Sequence, residues 1–185
     1  MICPVYCSSI DNITISKYSS LDERVQKVAL EAIVSINEST STDPRKNWSD
    51  YTATILSRLD VCKNAKNTLF VALEVDQVVG YAAFYTRQDL CSYSNQFLEG
   101  EDEAYCSWIA VHEQYKGKAL GFRLQTEIFK PEHGISTFKG HMKKTNEAAK
   151  KLLKKIADDT KFIVSQENLS SQIYYTVRSV ELSST

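Results

Sequence analysis

Apolar positions recur at helical spacing in several parts of the chain. From Leu21 to about Asn37 they form one stripe, and the preceding segment Ser20–Glu23 has the composition of a capping box. A second helix is predicted from about Ser49 to Lys63. The strongest pattern, Asn146 to Asp158, places apolar residues on one face and lysines on the other. Such stripes predict helices that pack against a core.

Runs rich in β-branched and aromatic residues predict strands between these helices. One covers Asn12–Tyr18, and two more flank the dipeptide Asp76-Gln77, which predicts a hairpin with that dipeptide as its turn. Further strands are predicted at residues 104–111, 135–142, 162–165 and 173–182. The order of elements predicts one mixed α/β (α+β) domain over residues 1–185, with residues 1–11 as an N-terminal extension.

Composition narrows the class of protein. The net charge is -1, with 43% hydrophobic and 24% charged residues, which is typical of a soluble globular domain and gives no reason to expect a nucleic-acid partner. The five cysteines are scattered without a Cys-x-x-Cys pair, and the three histidines are not at metal-ligand spacing. We therefore expect reduced, structural thiols and no metal.

The N-terminus has no basic start, and no apolar stretch approaches the length of about 20 residues that spans a bilayer. We expect a cytoplasmic protein without a membrane partner. The lysines at residues 150–155 are expected to form a solvated face, with contact to a ribose phosphate as the alternative.

The segment from residue 109 to 121 concentrates the candidate chemistry. A predicted strand ends at Val111, a predicted helix begins near Ala119, and Lys116-Gly117-Lys118 lies between them. A helix N-terminus offers unpaired N–H groups and the positive end of a dipole, and glycine lets the backbone approach an anion closely. Neither the P-loop pattern nor the dinucleotide fingerprint is present. The segment predicts a phosphate-binding turn of another kind.

The run from Gln114 to Ala119 resembles the motif of the GNAT superfamily of acyltransferases: Gln or Arg, two residues, Gly, one residue, then Gly or Ala. Val111-His112 precedes it and Leu120-Gly121 follows it, so the match includes a strand and a helix. Asn146-Glu147-Ala148-Ala149 resembles the family's Asn-x-x-Ala. The resemblance implies a mixed, mostly antiparallel central sheet of about six to seven strands flanked by four helices.

The resemblance also implies acyl-coenzyme A, usually acetyl-coenzyme A, as co-substrate. Its pyrophosphate would lie on the turn and its pantetheine arm along the strand at Ile109–Val111, in a gap where this strand splays from the next. A backbone N–H near Ile109 would polarise the thioester carbonyl, and Asn146 would bond the pantetheine. The implied cofactor-binding residues are Ile109, Ala110, Val111, Gln114, Lys116, Gly117, Lys118, Ala119, Leu120, Gly121 and Asn146.

The catalytic groups follow less directly. Many family members carry a tyrosine seven residues after the asparagine as the acid for the leaving thiolate, but this chain has Leu153 there. Tyr175 or Tyr174 could serve instead, the thiolate could leave unassisted or take a proton from water, or the activity could be weak or lost. Glu103 is the candidate base, with Glu101 second; the alternative is that this acidic run is a solvated loop.

We therefore predict an N-acyltransferase that moves a short acyl group to a primary amine by direct attack in a ternary complex. The acceptor would be a small molecule or a peptide, cationic if the acidic loop lines its site, and the enzyme a monomer or homodimer. The alternative is a weak or inactive module that keeps the fold and binds acyl-coenzyme A or a protein partner. Nucleic-acid binding through the lysine-rich helix is the least favoured alternative, and strong salt dependence would be its sign.

Overall fold

The computed structural model describes residues 12–40, 68–87, 97–159 and 161–180. The predicted helix from Ser49 to Lys63 and the predicted N-terminal extension lie outside these residues. The other predicted helices and strands are present, with ends shifted by a few residues.

Seven strands form the centre of the domain. They are β1 (Ile13–Lys17), β2 (Leu69–Glu74), β3 (Gln77–Thr86), β4 (Glu103–Val111), β5 (Thr137–Lys143), β6 (Phe162–Leu169) and β7 (Gln172–Ser179). They make one sheet in the order β1-β2-β3-β4-β5-β7-β6. Every neighbouring pair is antiparallel except β4 and β5, which are parallel. The predicted mixed, mostly antiparallel sheet is confirmed.

Within the described ranges, three α-helices flank the sheet: α1 (Glu23–Thr40), α2 (Leu120–Ile128) and α3 (Glu147–Ala157). α2 and α3 pack on one face, and α1 packs on the other. The apolar stripe of α1 is buried as predicted, and its inward residues are Ala29, Ile33 and Ile36. The fourth predicted helix falls outside the described residues. None of the helices described here is long and apolar enough to cross a bilayer.

The N-terminus of α1 differs from the predicted capping box. Ser20 ends a short 3-10 helix, and its hydroxyl donates to the carbonyl oxygen of Lys17 at 2.7 Å. Asp22 caps α1 instead, because its Oδ1 accepts the N–H of Val25 at 2.9 Å. Ser and Asp are equally good N-caps, so composition could not choose between them. The capping-box prediction was wrong because the preceding turn engages Ser20.

The β2–β3 hairpin turns one residue earlier than predicted. Glu74 pairs with Gln77, so the turn residues are Val75 and Asp76. Val75 has a φ of 59° and its side chain is 86% exposed. A β-branched residue is strained at positive φ, and tight hairpin turns favour Asn or Gly there. The sequence pattern missed this turn because it carries an unsuitable residue.

We expect Val75→Asn to stabilise the protein by about 1 kcal/mol, because Asn tolerates positive φ and no buried contact is lost. Urea unfolding followed by circular dichroism measures the change. Val28→Asn is the matched control, since Val28 is also exposed (47%) but lies in α1, where Asn is no better than Val. An equal gain from both variants would contradict this explanation.

β4 and β5 separate soon after they meet. Their parallel pairing joins only Glu103–Tyr105 to Thr137–Lys139. Beyond that point the β3–β4 register skips Ser107, and β4 continues along β3 while β5 continues along β7. We call the gap between residues 106–111 of β4 and residues 140–143 of β5 the fork. It opens towards the carboxyl ends of both strands, where the predicted phosphate-binding turn begins.

Candidate active site

The turn between β4 and α2 makes two left-handed steps. The N–H of His112 donates to the carbonyl of Val79 at 2.9 Å and secures the end of β4. Gly117 then has a φ of 76°, and Ala119, the N-cap of α2, a φ of 59°. A Cβ placed on Gly117 would meet no atom within 4 Å. The predicted strand, turn and helix are confirmed, and the space beside Gly117 is open.

This turn leaves a set of backbone donors without carbonyl partners. The first N–H groups of a helix have no carbonyl four residues earlier, and they lie at the positive end of the helix dipole. Among the described residues, no carbonyl accepts from the N–H groups of Gly117, Ala119, Leu120, Gly121 and Phe122. An anion with several oxygens, such as a pyrophosphate, would satisfy such donors.

Tyr115 anchors the turn to the β2–β3 hairpin, a contact that sequence reasoning missed. Its side chain is buried, and its hydroxyl donates to the carboxylate of Glu74. The ammonium of Lys118 lies 5.2 Å from the centre of the Tyr115 ring. Lys116 is exposed and pairs with Glu113. An aromatic residue inside a polar turn was the available signal, because such residues usually bury their ring.

Gln114 and His112 lie at the start of the turn. Gln114 is exposed, and its N–H donates to Nδ1 of His112 at 3.4 Å. The ring of His112 packs edge-on against Tyr115, with 6.2 Å between ring centres. These contacts agree with the interpretation of His112 as part of the strand end rather than as a base.

On the face that carries α2 and α3, Tyr175 and Cys106 close the fork. Tyr175 lies opposite Gly140 in the β5–β7 register. Its ring covers that glycine so closely that a Cβ on Gly140 would lie 2.4 Å from the tyrosine hydroxyl. The hydroxyl hydrogen-bonds to the thiol of Cys106, the first β4 residue beyond the paired segment. Leu153 packs into the same core. The predicted acid therefore reaches the base of the fork, and Leu153 does not offer an alternative donor.

Burial sets the protonation state of this pair. Burial raises the pKa of Tyr175 well above its ordinary value of 10, and Cys106 and Tyr105 raise it further. Burial also raises the pKa of the Cys106 thiol to about 12, although hydrogen bonds with Gln125 and Tyr175 act in the opposite direction. Both groups keep their protons at neutral pH. Tyr175 is thus a hydrogen-bond donor, and Cys106 is an unreactive thiol rather than a nucleophilic thiolate.

The opposite face of the fork, towards α1, carries an aromatic cluster that sequence reasoning did not single out. The hydroxyl of Tyr105 shares a hydrogen bond with Nδ1 of His141. The His141 ring lies 5.7 Å from that of Tyr174, and the Tyr105 ring lies 5.4 Å from that of Phe97. His141 is half-buried, and burial lowers its pKa below the ordinary value of 6.5. No local motif marks these residues, because they lie on separate strands.

Glu103, the predicted base, begins β4 at the paired end of the fork. Its carboxylate accepts the N–H of Glu99 at 2.6 Å, the N–H of Gly100 at 3.3 Å and the ammonium of Lys139 at 2.9 Å. Burial raises the pKa of Glu103, but these hydrogen bonds together outweigh it and hold the pKa below 4.5. Glu103 is therefore ionised and closes the turn before β4, while the second candidate, Glu101, is exposed.

Asn146 and the lysines of α3 lie at the carboxyl end of β5. Asn146 caps α3, because its Oδ1 accepts the N–H of Ala149 at 3.1 Å. Lys150 pairs with Glu147 at 2.6 Å, and the ammonium of Lys155 lies 4.6 Å from the centre of the Phe122 ring in α2. Since β4 and β5 are parallel, Asn146 lies at the same edge of the sheet as the turn that follows β4. The described residues include no group of three or more His, Cys, Asp or Glu placed to hold a metal.

The sequence matches a known family over most of its length. The model described as "Acetyltransferase (GNAT) family" matches residues 33–157. This range contains the turn, β4, β5 and α3. The chain therefore belongs to the GNAT acetyltransferase family. No curated protein matches the chain.

Solved structures with the same fold include three acetyltransferases or relatives. Ard1 from Thermoplasma volcanium is 17% identical, with a TM-score of 0.60, 91% of this chain covered and 98% of that one. The ribosomal-protein-S18-alanine N-acetyltransferase from Escherichia coli is 14% identical, with a TM-score of 0.60 and coverages of 91% and 94%. The diaminobutyrate acetyltransferase EctA from Paenibacillus lautus, solved with its substrate and coenzyme A, is 13% identical, with a TM-score of 0.58 and coverages of 90% and 94%. At these identities the likeness shows the fold alone.

Proposed function

We propose that this protein transfers an acetyl or other short acyl group from acyl-coenzyme A to a primary amine by direct attack in a ternary complex. One observation carries the proposal: the turn with its unpartnered N–H groups and the fork lie at the same edge of the sheet. A ligand with a pyrophosphate at one end and an extended arm ending in a thioester fits that combination. A small phosphate ligand would need only the turn.

The turn would hold the pyrophosphate, with Lys116 and Lys118 adding positive charge beside it. The edge of β4 at Ile109–Val111 faces the fork, where β5 has turned away to pair with β7. An exposed strand edge offers N–H and C=O groups to an extended amide-containing arm. A β4 N–H near Ile109 would hydrogen-bond the thioester oxygen and stabilise the negative charge that develops there.

Tyr175 supports the acid role in place of the missing tyrosine at position 153. Its hydroxyl lies at the base of the fork and stays protonated, because burial raises its pKa. Glu103 as base and Tyr175 as acid both stay predictions. We further infer that the acceptor is a small molecule or peptide, that it approaches from the face towards α1, and that the protein acts in the cytoplasm as a monomer or homodimer.

The test combines binding with turnover. Isothermal titration calorimetry measures the affinity for acetyl-coenzyme A. A thiol reagent then measures coenzyme A release with a panel of amines: peptides with free amino termini, a lysine-containing peptide with a blocked amino terminus, spermidine and a short diamine. We expect micromolar binding and amine-dependent release. A protein that binds acetyl-coenzyme A but turns over no amine would support the inactive-module alternative, which the buried Leu153 motivates.

Substitution of Asn146 separates its two proposed roles. We expect Asn146→Ser to keep the free energy of unfolding, because Ser also caps helices, but to lower acetyl-coenzyme A affinity about tenfold, because the side-chain NH₂ donor is lost. Asn146→Ala should lower the affinity similarly and also reduce stability by about 1 kcal/mol. Calorimetry and urea unfolding measure the two quantities. Wild-type affinity in Asn146→Ser would mean that Asn146 is a helix cap only.

A further inference from the structure

We propose that His141 is the general base that takes the proton from the amine acceptor, and that Tyr105 positions its ring on the α1 side of the fork. This inference rests on the proposed acyltransferase function and adds to it the residue that activates the acceptor. The observations that carry it are the position of both side chains at the base of the fork and the hydrogen bond that joins them.

Strand geometry places the pair beside the site of reaction. Tyr105 is the last β4 residue paired with β5, and His141 lies two residues beyond its register partner, Lys139, on the strand that then departs. Side chains alternate along a strand, so Tyr105 and His141 lie on the face opposite to Cys106 and Gly140. The hydrogen bond between them therefore spans the gap at the point where the two strands begin to separate.

The packing of the two faces decides from which side an amine can approach. On the side of α2 and α3, Tyr175 covers Gly140 and contacts Cys106, and the buried Leu153 lies in the same core. That side has no room for an acceptor. On the side of α1, His141 is only half-buried. An amine entering from this side meets His141, while Tyr175 lies on the far side of the fork, where the thiolate needs a proton.

The surroundings of His141 favour its neutral form. The titratable and charged groups that strand alternation places on this face are Tyr105 and Glu103 of β4, Lys139 and Lys143 of β5, Tyr174 and Arg178 of β7, and Glu167 of β6. From α1, the residues buried on this face are the apolar Ala29, Ile33 and Ile36, together with Asn37. The nearest carboxylate, Glu103, is bound to Lys139 at 2.9 Å. Burial thus lowers the pKa of His141, and the imidazole can accept a proton at neutral pH.

The reaction balances with one proton released. An ammonium group of the acceptor gives a proton to Nε2 of His141, while Nδ1–H donates to the Tyr105 oxygen and steadies the imidazolium. The amine nitrogen then forms a bond to the thioester carbon, the carbon–sulfur bond breaks, and the nitrogen loses its second proton. The leaving sulfur gains a proton from Tyr175, which the nitrogen's proton restores through solvent. The imidazolium finally releases its proton to water.

Glu103 is less suited to this role. Two backbone N–H groups and Lys139 already occupy its carboxylate, and its lowered pKa makes it a weaker base than His141. It also begins β4, two residues before Tyr105, so it lies further from the open part of the fork.

The test compares pH profiles of kcat/KM, with acetyl-coenzyme A and the fastest amine of the panel above. For wild type we expect the rate to fall with decreasing pH through a pKa below 6.5, since the base works only when neutral. His141→Gln should lower kcat/KM about 100-fold and remove this limb, with unchanged coenzyme A affinity, and added imidazole should restore part of the rate. NMR titration of the His141 ring should give the same pKa as the limb.

His133→Gln is the matched control. His133 is also half-buried with a pKa lowered mainly by burial, but it packs on Phe70 and Phe84, away from the fork. This variant should keep the limb. Tyr105→Phe should lower kcat less than His141→Gln and move the limb to lower pH, because the imidazolium loses its hydrogen-bond acceptor.

Two outcomes would overturn the inference. If wild type turns over an amine and His141→Gln keeps both rate and limb, or if Glu103→Gln alone removes the limb, His141 is not the base and the proposed function stands. If wild-type protein turns over no amine of the panel, both the proposed function and the base fail together.

Discussion

Gly117→Glu is expected to abolish acetyl-coenzyme A binding, with a loss of at least about 100-fold in affinity. The substitution puts a carboxylate into the open space beside Gly117, where the unpartnered N–H groups would otherwise receive the pyrophosphate. Thermal unfolding with and without acetyl-coenzyme A measures the effect. Wild type should gain about 2.7 kcal/mol at a ligand concentration of 100 Kd, and the variant should gain nothing.

Gly134→Glu provides the control for backbone strain. Gly134 has a φ of 69°, close to the 76° of Gly117, and a Cβ there would also meet no atom within 4 Å. Both variants should lose about 1 kcal/mol of stability from the strained φ. Only Gly117→Glu should lose the ligand-induced stabilisation. Retained stabilisation in Gly117→Glu would refute the assignment of this turn as the pyrophosphate site.

Gly140→Ala is expected to displace Tyr175 and to reduce both stability and turnover. The new methyl group would lie 2.4 Å from the tyrosine hydroxyl and 2.5 Å from the ring carbon that carries it, so the ring must move. Such overpacking costs about 1–3 kcal/mol. Because the hydroxyl would leave the base of the fork, turnover should fall about 100-fold, as for loss of a general acid. Urea unfolding and coenzyme A release measure the two effects.

Two further variants identify the cause. In a Tyr175→Ala background, Gly140→Ala should cost almost nothing, so the double-mutant cycle should give a coupling equal to the overpacking cost. Gly121→Ala is the stability control, because its Cβ would have ordinary contacts at 3.8 Å and 3.9 Å. In the helix interior it should stabilise the protein. If Gly140→Ala lowers stability yet leaves turnover intact, Tyr175 is not the acid.

Local signals predicted the parts of the site that are contiguous in sequence. Gly117 and Ala119 lie between a strand and a helix, and both adopt the positive φ that such a turn requires. The stripes of α1 and α3 face the core as their spacing predicted. Asn146 caps α3 with its own side chain. Each of these features depends on hydrogen bonds or steric limits within a few residues, so the sequence contains the whole cause.

Where two local solutions were nearly equal in energy, the sequence did not choose correctly. Ser20 and Asp22 are both good caps, and the contact of Ser20 with Lys17 left Asp22 to cap α1. The hairpin turn uses Val75 although neighbouring polar residues suit a turn better. Strand pairing decided that register, because a shift by one residue would move every side chain of β3 to the other face.

The sequence by itself determined that this chain folds as a GNAT acetyltransferase with a phosphate-binding turn after its fourth strand. Only the tertiary structure decided what surrounds the fork. Tyr105 and His141 are 36 residues apart, and Tyr175 reaches Cys106 across a glycine on a third strand. These contacts depend on strand order and register, which the whole core sets, so no local pattern could carry them.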